Sequence, residues 1–550
     1  MPRSLKIGIV LSFFIVTIAH GQDRFLLQTT IENNINFFIR DSLIGAAGIP
    51  QYENNDIGGE IWVDFVGRYK GFEAGLRLDA FRNSNLLNPT DAYSAEGLGR
   101  FYLKKSVGKF DFHLGYLYDQ IGSGIIFRSY EIRPQLIDNA FIGGKATYWL
   151  NDDIFISGYY GRQKRQFDIY GSDIRGVSAE GYFSFDEDGQ TSISPGIGYI
   201  NRRLSQDDID GIVDVIRTYV DEDRVIPRYN TYSFTLYNTL SHKKLQWYTE
   251  WALKTPELFF DPNATRTEIS GRTAFGKYVK RTGSVFYSSL SLALDNLGIT
   301  LEGKRTSNFD FRANPLLRQN DGFISFIPPM NRQSTYRLLT RYNPATQVLS
   351  EMAWQVDINH KISKSWSWNV NVSDVYTLSS TQLFKELYFA AEYKNGRKSK
   401  LTGGAQFIAY NQRIYEVKPN VGMLRANTFF TDFLYKLGRR TSLRTEVQYM
   451  STEQDYGSWL FGLVEVGFKK YWTVELSGMY NSSPGPASPE DNNGIKQKIL
   501  YPSLGLTFNT GSKRISARYV KQVEGVICTG GICRLEPAFS GFRIQSYVQL

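Results

Sequence analysis

The chain has 550 residues, with 63 Lys and Arg against 54 Asp and Glu and a formal net charge of +9. The cationic residues are scattered singly among acidic ones, which excludes the basic tract of a nucleic-acid-binding protein. Its 37 Phe, 35 Tyr and 9 Trp residues exclude a disordered chain, and its mean hydropathy of -0.31 is too polar for a bundle of membrane-spanning helices. No break in composition divides the chain, so one continuous architecture is predicted.

The first residues have the pattern of an export signal. Arg3 and Lys6 supply a cationic start, residues 7–19 form an apolar stretch of 13 residues, and Ala19 and Gly21 are small residues at the positions that signal peptidase recognises. A membrane anchor needs about 20 apolar residues, so cleavage is favoured over an anchoring helix. We therefore expect residues 1–21 to be a signal peptide and residues 22–550 to be the exported protein.

The chain has two cysteines, Cys528 and Cys533, which are close in sequence on either side of a Gly-Gly pair. In an exported protein such a pair favours a disulfide that fixes a hairpin loop, and two free thiols are the alternative. A zinc site would need two further ligands, and His113, His242 and His360 are all distant in sequence. No metal or other cofactor is expected.

Alternation of apolar and polar residues continues to the end of the chain. In residues 60–69, 72–80, 366–373 and 542–550 most apolar side chains share one parity and most polar side chains share the other. A period of two predicts β-strands with one apolar face. A water-soluble sandwich alternates in the same way, so the lengths of strands and connections have to decide between water and lipid.

Segments of about 9 to 11 residues suit tilted strands that cross a bilayer. Short turns alternate with longer connections along the chain, which predicts about 24 strands, within a range of roughly 22 to 26. The short turns are expected in the periplasm, and the longest outer loops near 203–228, 254–283 and 306–350. A free strand edge would leave backbone groups unpaired in hydrocarbon, so the predicted fold is all-β, a single large transmembrane antiparallel β-barrel.

The C-terminal strand and two internal segments carry a family resemblance. The chain ends in Tyr547, Val548, Gln549 and Leu550, and it contains GSGIIFR at 122–128 and FIPPM at 326–330. With the export signal and the alternating strands, it resembles Gram-negative outer-membrane β-barrel proteins, in particular large porin-like barrels of a family without assigned function. The resemblance implies a location in the cell outer membrane, contact with lipid and lipopolysaccharide, and insertion by the barrel-assembly machinery. It implies no activity.

A barrel of this size encloses a lumen too wide for the wall side chains to fill. The connection at 306–350 carries an apolar stretch with a Pro pair, and it is predicted to be either an inward-folded constriction or a solvated external flap. Within 203–228, Ser205 can cap a helix whose apolar residues follow at spacings of three and four. We expect this helix to pack over the barrel rim, with entry into the lumen or contact with a partner protein as alternatives.

The polar side chains, which alternate with the apolar ones along each strand, are predicted to face the lumen. Their charges either orient a polar solute or only keep the wall wetted and paired internally. The lumen-facing candidates are Glu60, Asp64, Arg68, Glu73, Arg77, Asp79, Glu351, Asp357, Arg444, Glu446 and Arg543.

Two functions fit these patterns. The first is a passive channel or porin-like transporter for polar solutes, which should conduct as an isolated protein. The second is a scaffold subunit of an outer-membrane secretion, assembly or surface-lipoprotein complex, which should be plugged by its own loops and should bind surface lipoproteins or other envelope proteins. The sequence has no P-loop, nucleophile elbow or zinc-protease helix, so neither an enzyme nor catalytic residues are predicted.

Overall fold

Twenty-four antiparallel strands form one closed sheet in the part of the chain that the structure describes. The structure is a computed structural model and describes residues 25–529 and 532–550. The all-β barrel and its 24 strands are therefore confirmed. Strands β1 to β24, in chain order, are Leu26–Phe38, Ile57–Tyr69, Phe72–Ser84, Tyr93–Val107, Phe110–Leu117, Phe141–Trp149, Ile154–Arg165, Asp168–Gly181, Thr191–Arg203, Asn230–His242, Leu245–Thr267, Thr273–Ala293, Leu297–Ser307, Ser350–Lys361, Trp366–Tyr376, Gln382–Asn395, Ser399–Asn411, Met423–Gly438, Thr441–Ser451, Gly457–Phe468, Trp472–Pro484, Leu500–Asn509, Lys513–Gln522 and Phe539–Gln549.

The barrel closes where β1 pairs with β24. The register places Ile35 opposite Ile544, and the last residue continues the ladder, since the Leu550 N–H donates to the Thr29 carbonyl at 2.8 Å. Every other strand pairs with its neighbours in the chain. A sheet surrounded by lipid has to close in this way because each unpaired backbone group would cost several kcal/mol in hydrocarbon.

The two faces of the wall differ as the alternation predicts. In β3, Leu76 and Leu78 point outward and are 43% and 47% exposed, whereas Arg77 and Asp79 point into the barrel and are 1% and 4% exposed. An apolar outer surface and a charged inner surface are the arrangement of a barrel with lipid outside. A two-layer sandwich would have placed the apolar face inside.

The two ends of the barrel have different connections. Ten connections of at most four residues and one of nine, at 182–190, lie at one end, which we call the short-turn end. The other end carries the long connections, among them 118–140, 204–229, 308–349 and 523–538. The predicted alternation of short turns and longer outer connections is therefore present.

The predicted outer loop at 254–283 is wrong in form. Strands β11 and β12 continue through this region as a hairpin that closes at residues 268–272. Because the two strands satisfy each other's backbone hydrogen bonds, the segment does not need the irregular structure of a loop. The hairpin also buries Leu258 and Tyr278 against the neighbouring connection, so its tertiary packing favours extended structure.

A short helix, α1 at Gln206–Ile216, lies in the connection at 204–229. Ser205 and Asp208 form a reciprocal capping box at its start, which satisfies free N–H groups of the first turn. Its buried residues Ile209, Ile212 and Ile216 pack on the β11–β12 hairpin. The predicted cap and the packing over the barrel rim are confirmed. Within the described residues, no helix combines the length and apolarity needed to cross a membrane.

Two predictions concern residues outside the described part. The predicted signal peptide at 1–21 precedes it. A hairpin of Gly525–Thr529 and Ile532–Glu536 places the backbones of Cys528 and Cys533 opposite each other, but the side chains of both cysteines are outside the described part. The disulfide stays a prediction.

We expect Gly541→Ala to prevent stable closure of the barrel. Gly541 lies in β24 at φ +151, and a Cβ there would come within 1.9 Å of the Phe37 carbonyl oxygen in β1. Overpacking of this kind costs about 1–3 kcal/mol. The measurement is the fraction of protein that keeps the folded electrophoretic mobility in unheated detergent samples. Gly462→Ala is the control, since a Cβ there has no atom within 4 Å, and equal folding of the two variants would contradict the prediction.

Candidate functional site in the barrel lumen

Two connections from the long-connection end fold into the lumen. We call residues 118–140 and 308–349 together the plug. The inward-folded form predicted for 306–350 is confirmed, and the external flap is excluded by burial of its apolar residues. The large apolar plug residues that are at most 5% exposed are Ile121, Ile125, Ile126, Phe127, Phe309, Phe311, Ile324, Ile327, Met330, Leu338, Leu339 and Tyr342.

The two parts of the plug are joined to each other. The Arg128 N–H donates to the Ile324 carbonyl at 2.8 Å, and the Phe326 N–H donates to the Gly124 carbonyl at 3.0 Å. The Arg128 guanidinium also lies 3.9 Å from the centre of the Phe326 ring. The two segments that carry the family resemblance, 122–128 and 326–330, therefore meet inside the barrel.

Charged side chains of the wall bind the irregular backbone of the plug. Arg202 donates to the Arg312 carbonyl at 2.9 Å, and Lys304 donates to the Pro328 carbonyl at 2.5 Å. Glu250 accepts from the Ser123 N–H at 2.9 Å. A buried backbone without secondary structure needs such partners because an unpaired N–H or C=O costs free energy comparable to a lost hydrogen bond. Lys254, Gln163, Ser172 and Gln406 donate to plug carbonyls in the same way.

An ion-pair network centred on Arg77 holds the first part of the plug. The Arg77 guanidinium contacts Asp79 at 2.7 Å, Glu131 at 2.7 Å and Asp138 at 3.1 Å. Lys164 forms a further ion pair with Asp138 at 2.5 Å. Glu131 and Asp138 belong to the plug, whereas the other three residues belong to the wall. Because Arg77 is almost fully buried, its charge depends on these carboxylates for compensation.

The tip of this plug segment reaches the middle of the wall. Arg133 forms ion pairs with Glu32 of β1 at 2.5 Å and with Asp64 of β2 at 3.1 Å. A third contact, at 3.3 Å, joins it to Glu131 of the plug. The guanidinium of Arg133 is therefore ion-paired with three carboxylates.

The second part of the plug is held at the rim by Asp455, which lies between β19 and β20. Asp455 accepts from the Tyr342 hydroxyl at 2.9 Å and lies 3.7 Å from Arg341 and 3.3 Å from Lys418. Burial alone would raise the pKa of Asp455, but the charges of Arg341 and Lys418 outweigh it and lower that pKa below its usual value. The carboxylate is therefore ionised when the plug is in place.

The lumen near the short-turn end is not filled in the same way. We call this region the vestibule and define it by Arg68, Glu73, Glu392, Arg444 and Glu475. Arg68 pairs with Glu73 at 2.8 Å, and the two side chains are 56% and 24% exposed. Arg444 pairs with Asp432 and is 30% exposed. The inner wall of the vestibule is therefore charged and partly exposed to solvent, unlike the buried wall around the plug.

All eleven candidate residues lie on the inward-facing parity, but they do different things. Asp64, Arg77 and Glu351 contact the plug directly, and Asp79 supports Arg77. Arg68, Glu73, Asp357 and Arg444 are partly exposed toward the vestibule. Glu446 binds Gln448, which in turn accepts from the Leu338 N–H of the plug. Glu60 and Arg543 lie beside the β1–β24 seam.

Sequence reasoning missed most of the wall residues that hold the plug. Arg202, Glu250, Lys254 and Lys304 are buried charges in strands whose ends lead into long connections. Their inward parity was visible in the sequence, but the alternation does not say whether an inward charge meets water or another segment. Only the course of the plug decides this.

Comparison with known proteins gives a family but no function. A family model described as "Family of unknown function (DUF6029)" matches residues 1–550. The chain belongs to this family. No curated protein matches the sequence of this family member.

Three solved structures are similar in overall shape. The P pilus usher (PapC) translocation pore has 9% identity and a TM-score of 0.39, with 95% of this chain and 99% of that chain covered. The siderophore receptor PirA from Pseudomonas aeruginosa has 9% identity and a TM-score of 0.41, with 95% and 80% covered. The outer membrane transporter YddB from Escherichia coli has 7% identity and a TM-score of 0.39, with 95% and 80% covered. The fold assignment rests on the closed sheet itself.

Arg77→Ser should destabilise the protein far more than Arg68→Ser. Removal of Arg77 leaves Asp79 without its ion-pair partner and takes one of two cationic partners from Glu131 and from Asp138, at a cost of about 3–5 kcal/mol. Arg68 is more than half exposed, so its ion pair with Glu73 is worth about 1 kcal/mol or less. The measurement is the free energy of unfolding of the detergent-refolded protein in guanidinium chloride. Equal losses for the two variants would show that Arg77 does not hold the plug.

Asp455→Asn should weaken the plug only where the carboxylate is ionised. A group whose folded pKa is lowered contributes stability above its unfolded pKa of about 4, and this contribution is lost as the pH falls through the lower folded value. The difference in unfolding midpoint between the wild type and this variant should therefore be constant from about pH 5 to 7 and shrink below about pH 4. A difference that does not change with pH would contradict an ionic role for Asp455.

Proposed function

We propose that this protein is a gated transporter of the outer membrane that carries a polar solute through its barrel and is closed in this structure by the plug. The observation that carries the proposal is the division of the lumen into two halves. A charged, hydrated vestibule reaches from the short-turn end to mid-barrel, and the plug fills the rest. A half-channel that ends on a separable barrier is the arrangement that a gated path requires.

The contacts between plug and wall suit a barrier that can move. Many of them are ion pairs and hydrogen bonds, as in the Arg77, Arg133 and Lys304 contacts. Water can replace each partner when such contacts separate, whereas separation of a purely apolar interface would expose apolar surface at about 25 cal/mol per Å². Hydration of the separated charges therefore offsets part of the free-energy cost of opening.

An outer-membrane location rests on two supports. The closed sheet has an apolar outer face, and the N-terminal sequence predicts export. In this setting, lipid and lipopolysaccharide are the proposed surroundings of the wall, and the barrel-assembly machinery is the proposed route of insertion. A passive porin fits less well, because a porin has an open lumen, whereas here the plug occupies part of the lumen and is hydrogen-bonded and ion-paired to the wall.

A scaffold role is the second candidate. The observation that favours it is the β11–β12 hairpin, which projects beyond its neighbours and exposes Ile269 and Phe275 at 66% and 77% near its tip. Such a feature would give surface lipoproteins or other envelope proteins a contact, and a scaffold has no need for a plug that moves.

Permeability of proteoliposomes separates these functions. The test variant combines Glu131→Gln with Asp138→Asn, which removes the plug carboxylates that bind Arg77. The wild type should be nearly impermeable to sucrose, and the test variant should swell several-fold faster because Arg77 no longer holds the plug. Glu392→Gln is the control, since it makes the same chemical change on the vestibule wall, where Glu392 binds Lys394 and Lys400.

Each result decides between the candidates. Rapid swelling of the wild type would establish a passive porin. A test variant that has the folded mobility of a barrel and is as tight as the wild type would identify the plug as a fixed core, which supports the scaffold.

A further inference from the structure

A cavity of about 330 Å³ lies at the seam where the barrel closes. Its wall side belongs to β1, β2, β23 and β24. Its opposite side belongs to the hairpin that ends in Ile532–Glu536 and to the plug tip at Arg133 and Pro134. The cavity is large enough for a small solute, since ligand sites typically occupy about 300–1,000 Å³.

Four arginines line this cavity, and they differ in how they are paired. Arg133 is fully committed to carboxylates. By contrast, Arg514, Arg534 and Arg543 form no ion pair with any residue that the structure describes, and the Arg534 Nε is buried without a hydrogen-bond partner. Arg543 donates only to the amide oxygen of Asn36, at 2.9 Å.

The acidic residues of the lining do not balance these arginines. Glu32 is paired with Arg133, which leaves Glu60 and Glu536. Burial lowers the pKa of Arg534, against the opposing charges of Glu536 and Glu60. Three guanidiniums, those of Arg514, Arg534 and Arg543, thus face two carboxylates, so the cavity carries an excess of positive charge.

Buried cations without partners are costly, and an oxyanion would relieve that cost. The guanidinium fork presents paired N–H donors that match a carboxylate or a phosphate group. Arg514 is exposed at the vestibule end, so a solute can reach the cavity from the vestibule. Trp62 and Phe539 supply apolar surface for the uncharged part of a ligand.

We propose that this cavity binds the carboxylate or phosphate group of a small polar solute, held by Arg514, Arg534 and Arg543 at the closure seam. That this solute is the one carried by the gated path rests on the proposed function. Binding at equilibrium, however, can be measured without any transport. Failure of binding and failure of gating are therefore separate results.

The experiment is titration calorimetry on the full chain refolded in detergent. Glucose 6-phosphate and gluconate supply the two oxyanions, inorganic phosphate tests the bare anion, and glucose is the neutral control. We expect both sugar anions to bind, glucose not to bind, and affinity to fall as sodium chloride is raised. Arg534→Gln and Arg543→Gln should each weaken binding by about tenfold or more, the loss expected for one charge-assisted hydrogen bond.

Two controls separate binding from folding. Arg534→Lys keeps the charge and should retain part of the affinity, whereas Arg444→Gln removes a wall arginine that is already paired and should change nothing. If the buried variants do not fold, the exposed Arg514→Gln carries the same expectation. The proposal is overturned if the folded wild type binds none of the anions, binds glucose equally well, or binds as tightly after loss of Arg534, Arg543 or Arg514.

Discussion

Backbone hydrogen bonding in lipid is the constraint on which this structure depends. A strand that faces hydrocarbon cannot leave N–H and C=O groups unpaired, so the first strand, Leu26–Phe38, has to meet the last, Phe539–Gln549. Closure with 24 strands then sets a circumference that wall side chains cannot fill. The interior has to be occupied by water or by further chain, and this protein uses both.

The division of the interior explains why the wall carries so many charges. In the half near the long connections, Arg202, Lys304 and Glu250 take the place of secondary structure for the plug, because they satisfy its carbonyl and amide groups. In the vestibule, pairs such as Arg68 and Glu73 meet water instead. The same polar parity therefore serves as structural support in one half and as a hydrated surface in the other.

The closure seam has a second consequence. Strands β1 and β24 bring residues from the two ends of the chain onto one inner surface, so Asn36 and Arg543 become neighbours. The hairpin at Ile532–Glu536 then adds Arg534 together with Glu536, and β23 adds Arg514. Positive charge thus accumulates beside the path that the vestibule opens, which links the proposed solute class to the proposed route.

The sequence by itself determined the wall. Alternation determines which side chains face lipid, as with Leu76 and Leu78, and the short turns determine the strand number. Ser205 marks the start of its helix, since helix capping is a local interaction. Only the tertiary structure decided what lies inside. Whether Arg77 meets water or Glu131, whether 254–283 is a loop or a hairpin, and whether Arg534 shares a cavity with Arg543 depend on contacts between distant parts of the fold, which no local period encodes.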